Sequence, residues 1–145
     1  MVDLLKKATR PAVTVEKNVS VEDAVKIMVE RKIGAVVVTE KGKVAGIFSE
    51  RDLMQRVVLA RLDARKTAVG KVMTADVVSA TEDGDEDDAM AAMVDRHIRH
   101  VPVVDKRKRA VGMLSFRDVM KSRVDDLKHE VAALEAYLGY DGVSG

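Results

Sequence analysis

A seven-residue stretch that occurs twice constrains this chain more than any other feature. Gly46-Ile47-Phe48-Ser49-Glu50-Arg51-Asp52 is answered by Gly112-Met113-Leu114-Ser115-Phe116-Arg117-Asp118. Both read glycine, two apolar residues, serine, a free position, arginine and aspartate. The likeness extends upstream. A shift of 65 residues pairs Ala24 with Ala89, Met28 with Met93, Val29 with Val94, Arg31 with Arg96 and Ile33 with Ile98. After residue 43 the shift becomes 66, and the extra residue falls in a charged turn, 40–43 against 105–109, where a hairpin absorbs insertion. The chain is a tandem duplication, so its fold is two copies of one small unit.

Each copy carries the same run of elements. Residues 11–15 and 76–80 are short and rich in β-branched side chains, which predicts an extended segment. Apolar positions 21, 24, 25, 27 and 28 fall near a period of 3.6 and predict a helix over 21–31, with a counterpart over about 85–97. Two strands around a turn follow: 35–38 with 44–48, and 101–104 with 110–114. Pro102 gives no ladder hydrogen bond and suits the start of an edge strand. A second helix opens after each serine, over about 50–62 and from 116 onward. The expected unit is β-α-β-β-α, an α/β (α+β) fold in two tandem repeats with pseudo-twofold packing. Neither half of roughly 60 residues buries much apolar surface alone, so the two should share an interface. The expected boundaries are 1–66 for the first repeat, 67–122 for the second, and 123–145 for a C-terminal amphipathic helix with a flexible tail. Residues 63–70 read as a solvated link, and Lys71 to Thr74 open the second half. In the terminal segment Val124, Leu127, Val131, Leu134 and Leu138 form a 3-4-3-4 apolar stripe. That stripe either packs back on its own domain or docks on a second chain.

Aromatic residues make up only 3% of the 145, so the core must be aliphatic, and stacking platforms for single-stranded nucleic acid are excluded. A net charge of +1 supplies no strong field for DNA or acidic membranes, and the absence of cysteine removes disulfides, thiolate nucleophiles and cysteine-based zinc sites. No apolar run is long enough to span a bilayer, and the first seven residues lack a signal-peptide core. The expectation is a cytoplasmic protein with no membrane partner.

Ser49 with Asp52, and Ser115 with Asp118, each match a helix capping box. The same arrangement suits a ligand. A helix start offers free N–H groups and a positive dipole end to phosphate, the serine hydroxyl donates to a phosphate oxygen, and a carboxylate one turn on accepts from a ribose. Gly46 and Gly112 let a backbone or ligand approach closely. Other clusters read as structural. His97 and His100, with His129 distant, make no metal set. The acids at 83–88 lack the glycine and glutamate of a calcium loop and sit where acids favour a helix start. Lys106 to Arg109 form a short basic turn, read as solvated rather than as a nucleic-acid contact. There is no Ser-His-Asp set and no Walker-type phosphate loop.

The repeated Gly-x-x-Ser-x-x-Asp, preceded by Val72-Met73-Thr74 and by Ile98-Arg99-His100-Val101-Pro102-Val103-Val104-Asp105, resembles the CBS domain. The tandem resembles a CBS pair, or Bateman module, over residues 6–122. This resemblance implies a stand-alone, non-enzymatic regulatory module that binds adenine nucleotides in clefts between its halves. AMP, ADP or ATP are the implied ligands, ahead of S-adenosylmethionine or NAD(H), as regulatory ligands rather than catalytic cofactors. By position, cleft one would use Ser49, Asp52, Thr74, Val78, Arg99 and His100. Cleft two would use Ser115, Asp118, Thr9, Val13, Gly34 and Ala35. Arg99 and His100 give cleft one positive charge whereas Gly34 and Ala35 give cleft two none, so cleft one is expected to hold a phosphorylated ligand more tightly. The resemblance further implies a homodimer and a protein target that the sequence does not name. The alternatives are a ligand-independent dimerisation scaffold and a nucleic-acid-associated regulator.

Overall fold

The computed structural model describes residues 6–139. Two three-stranded sheets carry the duplication. The first contains β1 (Thr14–Glu16), α1 (Val21–Arg31), β2 (Ala35–Glu40), β3 (Lys43–Ser49) and α2, which opens at Glu50–Asp52 and continues as π-helix over Leu53–Val58. The second contains β4 (Ala80–Thr81), α3 (Glu86–Arg96), β5 (His100–Val104), β6 (Ala110–Ser115) and α4 (Phe116–Tyr137). In each sheet the first strand runs parallel to the second and the second antiparallel to the third.

Local chemistry sets the helix ends. Ser20 caps α1 by accepting from the Asp23 N–H at 3.1 Å, and Asp85 caps α3 by accepting from the Asp87 N–H at 2.8 Å. Both helices stop on a left-handed residue, Lys32 at φ 56° and His97 at φ 55°, whose N–H groups reach back to the last turn. The cap positions obey the same 65-residue shift as the apolar ones. The acids at 85–87 are structural: Asp85 is a cap, while Glu86, 6% exposed, pairs with Lys7 at 2.5 Å and Arg123 at 3.3 Å. Arg123 also pairs with Asp87.

Strand β2 is buried at five successive positions. Val36 and Val38 join Phe48, Val21, Ala24 and Met28 in the first core. Ala35 and Val37, on the other face, meet Met113 of the second half, with Val44, Ile47 and Ala110 alongside. That middle layer is the shared interface, and burying a valine there contributes about 1.5–3 kcal/mol. Val101, Val103, Leu114 and Val119 centre the second core.

Sheet edges are exchanged between the halves. Thr74 pairs with Ile47 on β3 through hydrogen bonds of 2.8 and 2.9 Å, and Thr9 pairs with Met113 on β6 at 2.8 and 3.0 Å. Val69 and Val72 accordingly sit in the first core and Ala8 packs on the second. Residues 71–74, at the start of the second repeat, therefore pair with the sheet of the first.

Three expectations are corrected. The first strands begin later than expected, at Thr14 and Ala80, leaving Val13 and Val78 on the approach. Pro102 lies in a central strand, not an edge. Met113 turns its N–H and C=O toward Thr9, so the backbone nitrogen of Pro102 faces the β4 side. In the first half the equivalent Val37 N–H donates to Val13 O at 3.1 Å. Proline has no such donor, and β4 pairs only from Val103 onward. Helix α2 ends at Val58, not at about 62, and Arg61 turns the chain at φ 59°. The helix expected from 116 onward runs unbroken through the terminal stripe as α4, and of the two readings left open for that stripe the structure does not show packing on its own domain. Val124, Leu127, Val131, Leu134 and Leu138 are 48–59% exposed. The tail expected after Leu138 keeps Gly139, at φ 70°, and otherwise lies outside the described residues.

Candidate functional site

Two cavities lie between the halves, and each opens at the start of a second helix. Cleft one, about 260 Å³, is lined by all six residues assigned to it: Ser49, Asp52, Thr74, Val78, Arg99 and His100. Cleft two, about 270 Å³, is lined by Thr9, Val13, Gly34, Ala35, Ser115 and Asp118. Both approach the roughly 300 Å³ at the small end of ligand pockets. The exchanged edges explain the grouping, because Thr74 reaches cleft one only by pairing with β3, and Thr9 reaches cleft two only by pairing with β6.

The cradles differ internally. Ser49 and Asp52 form a complete capping box: Asp52 Oδ2 accepts from the Ser49 N–H at 3.0 Å and from Ser49 Oγ at 3.2 Å. Asp52 Oδ1 accepts from Thr74 Oγ1 at 2.9 Å and lies 3.7 Å from Arg56 Nε. The residue is 5% exposed, and those contacts satisfy its carboxylate. Only half of the box forms at the second helix. Asp118 donates its N–H to Ser115 Oγ at 3.1 Å, but among the described residues its half-buried carboxylate accepts no hydrogen bond.

The close approach allowed by Gly46 is made by backbone. A Cβ there would stand 2.5 Å from Met73 Sδ and 2.6 Å from Thr74 O.

Sequence reasoning missed residues on both walls. His100 lines both cavities, with Gly34 against it: a Cβ on Gly34 would lie 3.4 Å from His100 Cε1 and from Glu50 Oε1. Lys32 and Arg117 line cleft two, so charge reaches it from residues other than the Gly34 and Ala35 compared in the sequence. Arg117 was visible as part of the repeated motif. Lys32 was hidden because only its left-handed capping conformation turns the chain beside Ile33 and Gly34. Cleft one also receives Glu50 and Asp76, two carboxylates that weaken its expected advantage for phosphate.

Burial pushes the His100 imidazole below its ordinary value of 6.5, against the opposing pull of Glu50. Arg99 adds to the lowering and Asp118 opposes it. The folded chain therefore binds this proton less readily than the unfolded chain, so stability is fullest above pH 6.5 and falls as pH drops through it. In His100→Gln the loss of stability between about pH 7.5 and about pH 5.5 should shrink, as read from urea midpoints. An unchanged loss would place the pH dependence elsewhere.

The family's CBS-domain sequence model matches residues 3–59 and again 69–125, so the chain belongs to the CBS-domain family, as a pair of such domains. A mitochondrial CBS domain-containing protein of Arabidopsis thaliana is 36% identical over 82% of this chain. The alignment spans 60% of that relative's length. A CBS-domain structure from Burkholderia ambifaria matches with a TM-score of 0.78 at 37% identity, covering 86% of this chain and 94% of that one. Two further neighbours hold ligands. A CBS pair solved with 5′-methylthioadenosine and S-adenosyl-L-methionine matches at TM-score 0.73 and 28% identity, over 83% of this chain and 98% of its own. A CBS domain protein of Pyrobaculum aerophilum complexed with AMP matches at 0.74 and 25%, over 81% and 89%. CBS-domain proteins are generally regulatory rather than catalytic. No helix among the described residues is long and apolar enough to cross a membrane.

Proposed function

We propose that this chain is a regulatory module that binds an adenine nucleotide or related adenosyl compound between its two CBS repeats and signals to a protein partner by a shift in conformation, without catalysing a reaction itself. One observation carries the reading: each cavity joins a Ser-x-x-Asp helix start to an edge strand covalently rooted in the other half. A ligand in such a place contacts both repeats at once. It stabilises whichever arrangement of the halves fits it, which is the physical requirement for a population shift. The ligands named for the two neighbours share an adenosyl group, which supports that ligand class.

The exposed stripe on α4 supports homodimerisation, and it also favours a second reading, a ligand-independent scaffold assembled through that helix. Thermal denaturation separates the two. A ligand that binds only the folded state must raise stability, by about 2.7 kcal/mol at a hundred times its dissociation constant. In a panel of AMP, ADP, ATP, S-adenosylmethionine and NADH, at least one should raise the melting temperature by several degrees. No shift from any of them at millimolar concentration would favour the scaffold.

A further inference from the structure

The two clefts differ in charge and in the readiness of their carboxylates, and both differences run against the expectation that cleft one is the stronger phosphate site. Cleft one sets Arg51 and Arg99 against Glu50, Asp52 and Asp76, a formal balance of −1 among its lining residues with the histidines neutral. Arg56 and Arg96, outside the lining, pair with Asp52 at 3.7 Å and Asp76 at 3.4 Å, which leaves Glu50 as the carboxylate there without a cation within 4.0 Å among the described residues. Arg51 is already committed, donating from Nη1 to the His97 carbonyl at 2.9 Å. Cleft two sets Lys32 and Arg117 against Asp118 alone, a balance of +1. Among the described residues neither of those cations has an acidic partner within 4.0 Å.

The carboxylates add a second difference. A ribose hydroxyl entering cleft one must compete with Ser49 and Thr74 for Asp52. The Thr74 hydroxyl is held beside Asp52 by the backbone pairing of Thr74 with Ile47, so this competing donor stays in place. In cleft two the Asp118 carboxylate is free to accept a hydroxyl, and the Ser115 hydroxyl stands one turn before it.

We propose that cleft two is the site for the phosphorylated nucleotide, with Lys32 and Arg117 holding the phosphate and Asp118 the ribose, whereas cleft one disfavours anions and takes adenosyl compounds without phosphate. This rests on the reading of the module as an adenosyl-ligand sensor. Lys32 is at a helix end and Arg117 in the first turn of α4, so both meet a phosphate from opposite halves of the molecule. A nucleotide there bridges the repeats by charge, and loss of one charge-assisted contact costs a factor of about ten in affinity.

The test is isothermal titration of the full chain with AMP and with adenosine. Expected results are a drop of at least about tenfold in AMP affinity for Lys32→Glu/Arg117→Glu and for Asp118→Asn, larger than any drop in Asp52→Asn. Adenosine should bind the wild type and Lys32→Glu/Arg117→Glu equally, which also shows that the charge-reversed chain is folded. Conversely, Glu50→Gln/Asp76→Asn should create or strengthen a second AMP site. If Asp52→Asn abolishes AMP binding while Asp118→Asn leaves it intact, the assignment of the clefts is overturned and the sensor reading stands. If neither AMP, adenosine nor S-adenosylmethionine binds the wild type at millimolar concentration, the sensor reading itself falls, and the assignment with it.

Discussion

Gly46→Val should lower the melting temperature by roughly 10 °C, the largest effect expected from any single change at the cleft floor. The cause is the 2.6 Å separation between a Cβ at this position and Thr74 O. The Met73 side chain can swing aside from its 2.5 Å contact, but the Thr74 carbonyl cannot. It is fixed by the paired hydrogen bonds of 2.8 and 2.9 Å to Ile47. Relief therefore means detaching residues 73–74 from β3. Overpacking of this kind costs about 3 kcal/mol, which is roughly 10 °C for a chain of this size. Detachment also withdraws Thr74 Oγ1 from Asp52, so the variant should lose the order of cleft one. Thermal denaturation followed by circular dichroism measures the first effect. A melting point within about 2 °C of wild type would mean that the exchanged strand contributes little.

Phe48→Ala should cost about 4 kcal/mol, because the ring is fully buried in the first core and its removal leaves a cavity there. Its counterpart one repeat later, Leu114→Ala, should cost about 3 kcal/mol. More telling is the shape of the unfolding curve. Ala35 and Val37 of the first half pack on Met113 of the second, and Thr9 and Thr74 cross between them. Either substitution should therefore move one cooperative transition instead of splitting it in two. Urea titration monitored at amides in both sheets checks this. Two resolved midpoints in either variant would show that the repeats unfold independently.

Much of this architecture was legible because it depends on local periodicity. The spacing of Val21, Ala24 and Met28, repeated as Met90 and Met93 beside Ala89, predicts α1 and α3 to within a residue at each end. The doubled Ser-x-x-Asp marked both cradles, and the twelve residues carried over by resemblance line the two cavities. What escaped depends on distant backbone. Pro102 reads as an edge residue, yet it sits in a central strand because its neighbour β4 begins one residue later. The destination of Thr74 was invisible, since nothing local distinguishes a strand that joins its own half from one that joins the other. The charge balance of the clefts was misjudged for the same reason. Lys32 falls just past the helix predicted over 21–31 and Glu50 opens the next, and only the packing of the halves makes either a cavity wall.

The crossing of Thr9 and Thr74 also bears on how such a chain arises. A single repeat would present an unpaired segment before its first strand and an open edge beside its third, each the complement of the other. Two separate copies would satisfy both by trading arms, the geometry of a domain-swapped dimer. The duplicated chain is that dimer closed covalently by residues 59–68. Tethering makes the trade intramolecular at high effective concentration, and it frees the two copies to diverge. A self-complementary dimer of identical repeats must carry two identical pockets. Joined in one chain, they need not match, and here Glu50 stands where the second copy has Phe116.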